Sequence, residues 1–165
     1  MKKILSDKIV RIVKNKKKLE KILKVKITNR GKEVFIEGDS ENEYIAEKVI
    51  YALDLGFPFE IAMSIKKENF SFGILNIKDY TKRKDLERVR ARIIGKGGKT
   101  LKTLHELTKC YFELNNNNVG IIGDDEHIKN AEEAVVAIIK GAKQSNVYSF
   151  LEKHQPEKVI DLGLK

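Results

Sequence analysis

The chain has 165 residues, of which 41% are hydrophobic and 35% are charged, and its formal net charge is +9. This composition is typical of a soluble globular protein with room for one ordinary domain or two small ones. No apolar run approaches the roughly 20 residues of a membrane helix. The lone Cys110 and three scattered histidines make a disulfide or a metal site improbable. We therefore expect a cytoplasmic protein with no metal, no cofactor and no membrane partner.

The positive charge is concentrated in two blocks. Residues 1–26 carry eleven Lys/Arg against two acids, and residues 82–109 carry ten against three. The remainder of the chain is mildly acidic. A single lysine-rich cluster is equally typical of a solvated surface, but two separate clusters favour a polyanionic partner.

Residues 1–57 read as a small α+β unit. A short strand has to fit into "MKKIL", and a lysine-rich segment follows at residues 13–22. "VFIEG" (34–38) shows the alternation of a strand before a Gly-Asp turn. An amphipathic helix then runs to Gly56, which stands where a helix takes its left-handed stop. Residues 58–69 read as a connecting helix.

Residues 70–143 read as a longer unit of the same kind. The predicted order is a strand at 70–80, helices at 86–94 and 99–109, strands at 110–114 and 119–123, and a last helix that ends at Gly141. A glycine-rich loop separates the two predicted helices, and an asparagine-rich turn joins the two strands that follow them. Residues 144–165 are predicted to form a C-terminal helix and a tail that is broken at Pro156.

The two units are related by an internal repeat. Residues 34–56 align without a gap with residues 119–141, at an offset of 85, and nine of the 23 positions are identical. Each copy reads as a strand, a Gly-Asp turn and an amphipathic helix ended by glycine. The sequence therefore predicts a duplicated α+β unit, with each copy preceded by one of the basic blocks.

The stretch "RIIGKGGKTL" (92–101) contains the glycine-rich loop and resembles a phosphate-binding motif. It fails the G-x-x-x-x-G-K-[ST] pattern of nucleotide-hydrolysing P-loops because Ile93 stands at the first glycine. It fails the G-x-G-x-x-G dinucleotide pattern because Thr100 stands at the last glycine. What remains is a G-x-x-G loop between two helices, which on its own is most often a simple turn.

The physical chemistry of this loop suits a nucleic-acid backbone. Glycines lack the Cβ atoms that would hold a sugar-phosphate chain away, and the helix that begins at about Gly98 offers free N–H groups to a phosphate. Apolar residues beside the loop would carry bases towards the strand at Ile121. The candidate RNA-binding residues are Gly95, Lys96, Gly97, Gly98, Lys99, Arg88, Arg92, Ile93, Ile94 and Leu101.

The element order and the core "RIIGKGGKTLKTLHELT" resemble the KH domain, whose GxxG loop clamps about four nucleotides of single-stranded nucleic acid. The resemblance implies an α+β fold of two tandem type I KH domains, each a three-stranded antiparallel sheet covered by helices on one face. In the first copy the lysine-rich segment 13–22 takes the place of the loop and lacks its glycines. The first copy is therefore interpreted as a degenerate KH domain with residual electrostatic affinity.

Two such units in one short chain, with "ERVRARIIGKGGKTLKTLHELT" and "SNVYSFLE" in the second, resemble the archaeal relatives of the eukaryotic partner-of-Nob and Krr-like pre-ribosomal proteins. This resemblance implies binding near the 3′ end of small-subunit ribosomal RNA during subunit maturation. It also implies contact with a maturation endonuclease or an initiation-factor subunit.

Two hypotheses of different classes follow. The first is a non-catalytic protein that binds single-stranded RNA in ribosome maturation, and the intact loop favours it. The second is a protein-interaction scaffold in ribosome assembly or translation initiation with little RNA affinity of its own. No nucleophile, base and acid are spaced for catalysis, so we predict that the protein is not an enzyme. His105 reads as an exposed helical histidine, and either Tyr111 or Phe112 could stack on a base.

Overall fold

The computed structural model describes residues 1–155, so the predicted tail from Pro156 onwards lies outside the described residues. The first half contains β1 (Lys2–Leu5), α1 (Ile9–Leu23), β2 (Lys26–Arg30), β3 (Glu33–Glu37), α2 (Ser40–Leu55) and α3 (Phe59–Met63). The second half contains β4 (Phe70–Asn76), α4 (Leu86–Ile94), α5 (Lys99–Thr108), β5 (Tyr111–Asn115), β6 (Asn118–Asp124), α6 (Ile128–Ile139) and α7 (Gln144–Lys153). Short 3-10 turns occur at Ser64–Lys66, Ile77–Asp79 and Lys96–Gly98.

Each half is built on a three-stranded antiparallel sheet. The strand orders are β1-β3-β2 and β4-β6-β5, so the central strands β3 and β6 are the two strands that the repeat aligns. Val34 and Val119 occupy equivalent places in these strands, and both are fully buried. The prediction of an α+β fold with two three-stranded antiparallel sheets is confirmed.

The first half differs from the prediction at residues 13–22. We expected a lysine-rich counterpart of the GxxG loop there, but the segment lies inside α1, which is one uninterrupted helix of 15 residues. Ile12, Leu19 and Leu23 are its buried residues, and their spacing forms one apolar stripe. No glycine or proline interrupts the helix, and lysine is a good helix former, so the basic face stays helical.

The second sheet is covered on both faces. Alternation along β6 points Val119 and Ile121 towards the core formed with α4, α5 and α6, whereas Ile122 packs with the core of the first half. Phe57, which follows α2, is fully buried and meets Phe72 of β4 edge to face, with ring centroids 6.2 Å apart. The first half therefore serves as the second layer over the outer face of this sheet.

Candidate nucleic-acid interface

The GxxG loop joins α4 to α5 through a single tight turn. Gly95 ends α4 by donating its N–H to the carbonyl of Ala91 at 2.8 Å, and the N–H of Gly98 closes the turn on the carbonyl of Gly95 at 3.1 Å. The backbone is left-handed at Gly95 (φ 78°), Gly97 (φ 63°) and Gly98 (φ 78°). Glycine adopts these angles without a steric penalty, so it is favoured at all three positions.

The three glycines face different surroundings. A Cβ on Gly95 would lie 2.6 Å from the backbone nitrogen of Thr100, so this glycine allows the chain to pack on itself. A Cβ on Gly97 or Gly98 would meet nothing within 4 Å. The outer side of the loop is therefore open main chain that another molecule can approach closely.

The N-terminus of α5 is available to an anion. Gly98 is its N-cap residue and provides no side-chain cap, and the first turn of the helix contains no acidic residue. The N–H groups of a first helical turn have no partner within the helix, and the helix dipole places partial positive charge there. Exposed Lys96 and Lys99 flank this end.

The two arginines that we expected in the basic patch have different roles. Arg88 is exposed and lines a surface depression of about 450 Å³ with Arg83 and Lys84. Arg92 is half-buried, and its guanidinium donates to the carbonyls of Ile138 at 2.9 Å and Ala142 at 2.5 Å. Arg92 therefore ties the end of α4 to the end of α6, which differs from the expected contact with phosphate.

The apolar residues beside the loop also divide into two groups. Ile94 is 37% exposed, and Leu101 is half-buried on the first turns of α5, so both can present apolar surface to a base. Ile93 and Ile121 are fully buried in the core of the second half. The expectation that bases would contact Ile93 and reach Ile121 is therefore wrong, and these side chains support the loop from beneath.

Residues in the last turns of α5 and at the start of β5 make contacts that the sequence did not reveal. His105 is half-buried, which differs from the exposed histidine that the sequence predicted. Its Nδ1 atom lies 2.7 Å from the carbonyl oxygen of Cys110 and fixes the exit from the helix. Its ring stacks at a tilt on Tyr111, with centroids 4.9 Å apart. Phe112 packs with the core of the second half, and Tyr111 packs with the core of the first.

The acidic run at the end of β6 has a structural role. Asp124 accepts the N–H of Glu126 at 2.8 Å, and Asp125 accepts a hydrogen bond from the Ser71 hydroxyl. Within residues 1–155 no group of three or more His, Cys, Asp or Glu side chains is placed to hold a metal ion.

Burial raises the pKa of the Cys110 thiol to about 11, which keeps it protonated and a poor nucleophile at neutral pH.

A GxxG turn between two helices that pack on a β4-β6-β5 sheet defines a type I KH domain, a class that binds single-stranded nucleic acid. Sequence comparison agrees with this assignment. The family model of the second PNO1 KH domain, described as a eukaryotic-type KH domain (KH-domain type I), matches residues 71–156, more than half of the chain. The chain belongs to this family.

Two curated relatives show how far the similarity extends. A KH domain-containing protein of Methanocaldococcus jannaschii is 30% identical over 147 residues, covering 85% of this chain and 65% of that protein. The RNA-binding protein PNO1 of Oryzias latipes is 33% identical over 135 residues, covering 76% of this chain and 55% of that protein. The chain thus spans between about half and two thirds of these relatives.

Two solved structures share the fold over almost the whole chain. Dim2p from Pyrococcus horikoshii is 28% identical with a TM-score of 0.86, over 92% of this chain and 98% of that one. A Dim2p chain from the same organism, in a complex with a/eIF2alpha and rRNA, is 28% identical with a TM-score of 0.85, over 92% of both chains.

Among residues 1–155 no helix is long and apolar enough to cross a membrane.

Proposed function

We propose that the protein binds single-stranded ribosomal RNA through the GxxG surface during maturation of the small ribosomal subunit. The observation that carries this proposal is the open main chain at Gly97 and Gly98, at the uncapped N-terminus of α5 and between Lys96 and Lys99. The relatives support the choice of ligand, since they include RNA-binding and pre-rRNA-processing PNO1 proteins and a Dim2p bound to rRNA.

Each predicted site residue has a part in this proposal. A phosphate is held by the main chain at Gly97 and Gly98 and by the first N–H groups of α5. The exposed side chains of Lys96, Lys99 and Arg88 add positive charge around it, whose effect is weakened by salt. Ile94 and Leu101 contact the bases. Gly95, Ile93 and Arg92 hold the loop in place without touching RNA. The proposed RNA-binding domain spans residues 70–143, followed by the helix and tail at 144–165.

The test is a titration with short single-stranded RNAs, one of which matches the 3′ end of small-subunit rRNA. The variant Lys96→Asp/Gly97→Asp puts acids on the loop. The matched control is Gly31→Asp/Lys32→Asp, because Gly31 also has a positive φ (59°) in an open, exposed turn and the charge change is equal. The loop variant should lose binding, and the control should keep most of it.

Salt dependence adds a second criterion. The affinity of the wild type should fall steeply between two salt concentrations, with a slope of roughly −0.7 per neutralised phosphate for a single strand. The residual binding of the loop variant should have a shallower slope. Equal binding by the loop variant and the wild type would exclude the loop as the RNA site.

A second candidate function is favoured by exposed apolar residues on the first half. Val10 and Val13, one turn apart on α1, are 74% and 46% exposed, and the remaining exposed face of α1 is rich in lysine. We propose that residues 1–57, a degenerate KH domain, bind a protein partner, and that residues 58–69 connect this domain to the RNA-binding one. The relative in complex with a/eIF2alpha supports an initiation-factor subunit as that partner.

This partner can be tested separately from RNA. Val10→Ser/Val13→Ser should abolish binding to the purified α subunit of initiation factor 2 and leave RNA affinity unchanged. Unchanged binding to that subunit would exclude this surface of α1. Contact with a maturation endonuclease stays a prediction of the family resemblance.

A further inference from the structure

The edge strand β4 lacks the features that usually prevent the edge of a sheet from pairing with another chain. Natural edge strands are very short, or they carry charged residues, proline or a bulge. β4 has seven residues, FSFGILN, with no charge and no proline, and its Ile74 is 46% exposed. The other three edge strands, β1, β2 and β5, have four or five residues, and each carries at least one charged side chain. β4 is therefore the edge best suited to accept a further strand.

The main chain of β4 offers hydrogen-bonding groups along this edge. Ile77, directly after the strand, donates its N–H to the carbonyl of Asn117 at 2.8 Å, so the odd-numbered residues of β4 bond to β6. The even-numbered Phe72 and Ile74 turn their N–H and C=O groups away from β6. No other residue within 1–155 forms a hydrogen bond with these four groups. A strand that lies along β4 would satisfy all four.

A half-buried carboxylate lies over the middle of β4. Gly73 faces α6, and a Cβ there would stand 2.6 Å from a carboxyl oxygen of Glu132, so this group sits directly on the strand. No cation of residues 1–155 lies within ion-pairing distance of it. Burial raises the pKa of this carboxyl, since it loses water without gaining a cation. A strand beside β4 would lie about 4.8 Å away, so a lysine or arginine opposite Gly73 would reach Glu132.

A depression of about 410 Å³ adjoins the same edge on the α6 side, with Glu132 in its wall. Its apolar lining residues are Leu75, Tyr80, Val136 and Ala137. Leu75 faces the same side of the sheet as Gly73, two residues away. A side chain opposite Leu75 on an added strand therefore enters the depression. The side chain that follows it towards Gly73 lies on the other face of the sheet, beside Ile74.

These features define the chemistry of the added strand. Apolar side chains fit opposite Leu75 and beside Ile74, and a lysine or arginine fits opposite Gly73. The strand thus carries three consecutive residues in the pattern apolar, apolar, basic, read in either chain direction. A second copy of β4 does not fit this pattern, because FSFGILN contains no basic residue.

We propose that β4 is a docking site for an extended segment of another protein, which adds a fourth strand to the second sheet and pairs a basic side chain with Glu132. This surface lies at the opposite edge of the sheet from β5. The inference does not rest on the proposed RNA site, and a protein segment can occupy β4 while RNA is bound at the GxxG loop.

The experiment is a selection of random ten-residue peptides, displayed on phage, against the full chain. The enriched peptides should share the apolar, apolar, basic pattern. In isotopically labelled protein, an enriched peptide should shift the amide signals of Phe72, Ile74 and Glu132 most strongly. A selection that enriches no sequence, or peptides that shift only signals elsewhere, would overturn the proposal.

Charge reversal tests the pairing with Glu132. Glu132→Lys should weaken binding of an enriched peptide at least about ten-fold, as expected for the loss of a charge-assisted hydrogen bond. Replacing the basic residue of the peptide with glutamate should restore binding to this variant. The matched control is Glu152→Lys, since Glu152 is exposed on α7, outside the depression, and the charge change is equal. Equal affinity of Glu132→Lys and wild type for the peptide would contradict the proposal.

A proline on the edge tests the main-chain contacts. Ile74→Pro removes an N–H that points away from β6, so the sheet of the free protein should remain intact. This variant should lose peptide binding and keep RNA binding. The control Asn29→Pro removes an outward N–H on β2, where the N–H of Ile27, two residues earlier, bonds to Glu20. If the wild type instead dimerises and Ile74→Pro abolishes the dimer, the occupant is a second copy and the proposal is overturned.

Discussion

The glycines of the GxxG turn fulfil separate requirements, since Gly95 is a fixed glycine of the motif and Gly97 occupies one of its two variable positions. Gly95 has a positive φ and sits against Thr100, whereas Gly97 has a positive φ but open space around it. Gly95→Ala should therefore destabilise the fold by about 2 kcal/mol or more, because strain and a clash with backbone add together. Gly97→Ala should cost only about 1 kcal/mol, the penalty of a left-handed alanine.

The measurement for this pair is urea unfolding of the two variants beside the wild type. RNA affinity provides the second comparison, since Gly97→Ala places a methyl group on the open face while most of the stability remains. Equal losses of stability in the two variants would show that Thr100 does not pack against Gly95 in solution.

At the scale of single residues, the glycine turn and its exposed neighbours were easier to predict from the sequence than the contacts of the side chains beneath them. The glycines, lysines and exposed Ile94 could be predicted because motif spacing and charge are local properties. The roles of Ile93 and Arg92 could not, because they depend on α6: Ile93 packs into the shared core, and Arg92 bonds to carbonyls 46 and 50 residues away.

At the scale of elements, the repeat predicted β3, β6 and the helices after them, because alternation and glycine stops survive in both copies. It did not predict that α1 would be continuous. Homology with the GxxG copy suggested a loop at residues 13–22, but local helix propensity and the apolar stripe of Ile12, Leu19 and Leu23 keep the segment helical. Helix propensity alone would have predicted the continuous helix that is observed.

The packing of α6 across the edge strand β4 leads to a pH-dependent prediction. Gly73 of β4 leaves room for the Glu132 carboxyl, and burial raises the pKa of that carboxyl above its usual value of 4.5. A carboxyl whose pKa is higher when folded favours the folded state while it is protonated, and this contribution is lost as the pH rises through the folded pKa. Glu132→Gln should therefore gain stability relative to wild type at pH 7.

Urea unfolding at about pH 4 and pH 7 checks this sign. The free-energy difference between Glu132→Gln and the wild type should shift in favour of the variant as the pH rises. Exposed Glu133→Gln on the same helix is the matched control and should show little dependence on pH. A difference that shifts the opposite way would mean that an unrecognised cation stabilises the Glu132 carboxylate.

For the whole molecule, the junction between the halves was the feature least accessible from the sequence. Phe57 reads as a residue of the connection between the repeats, yet its side chain is fully buried against Phe72, and Gly120 leaves room for it on β6. These contacts join residues that are far apart in the chain. The sequence predicted helices on only one face of each sheet, so it did not predict what packs on the outer face of β4 and β6. The same junction places Lys8 and Arg11, from the first basic block, near the carboxyl group of Glu113 on β5.

This junction predicts that the two halves unfold as one cooperative unit. Phe57→Ala should cost about 3–5 kcal/mol, as expected when a buried aromatic side chain is removed from a packed core. Hydrogen exchange should speed up at the amides of both β3 and β6, since Ile122 belongs to the same core as Val34. Phe59→Ala, which truncates a partly exposed neighbour, should cost clearly less. If β6 keeps its full protection in Phe57→Ala, the two halves are energetically independent.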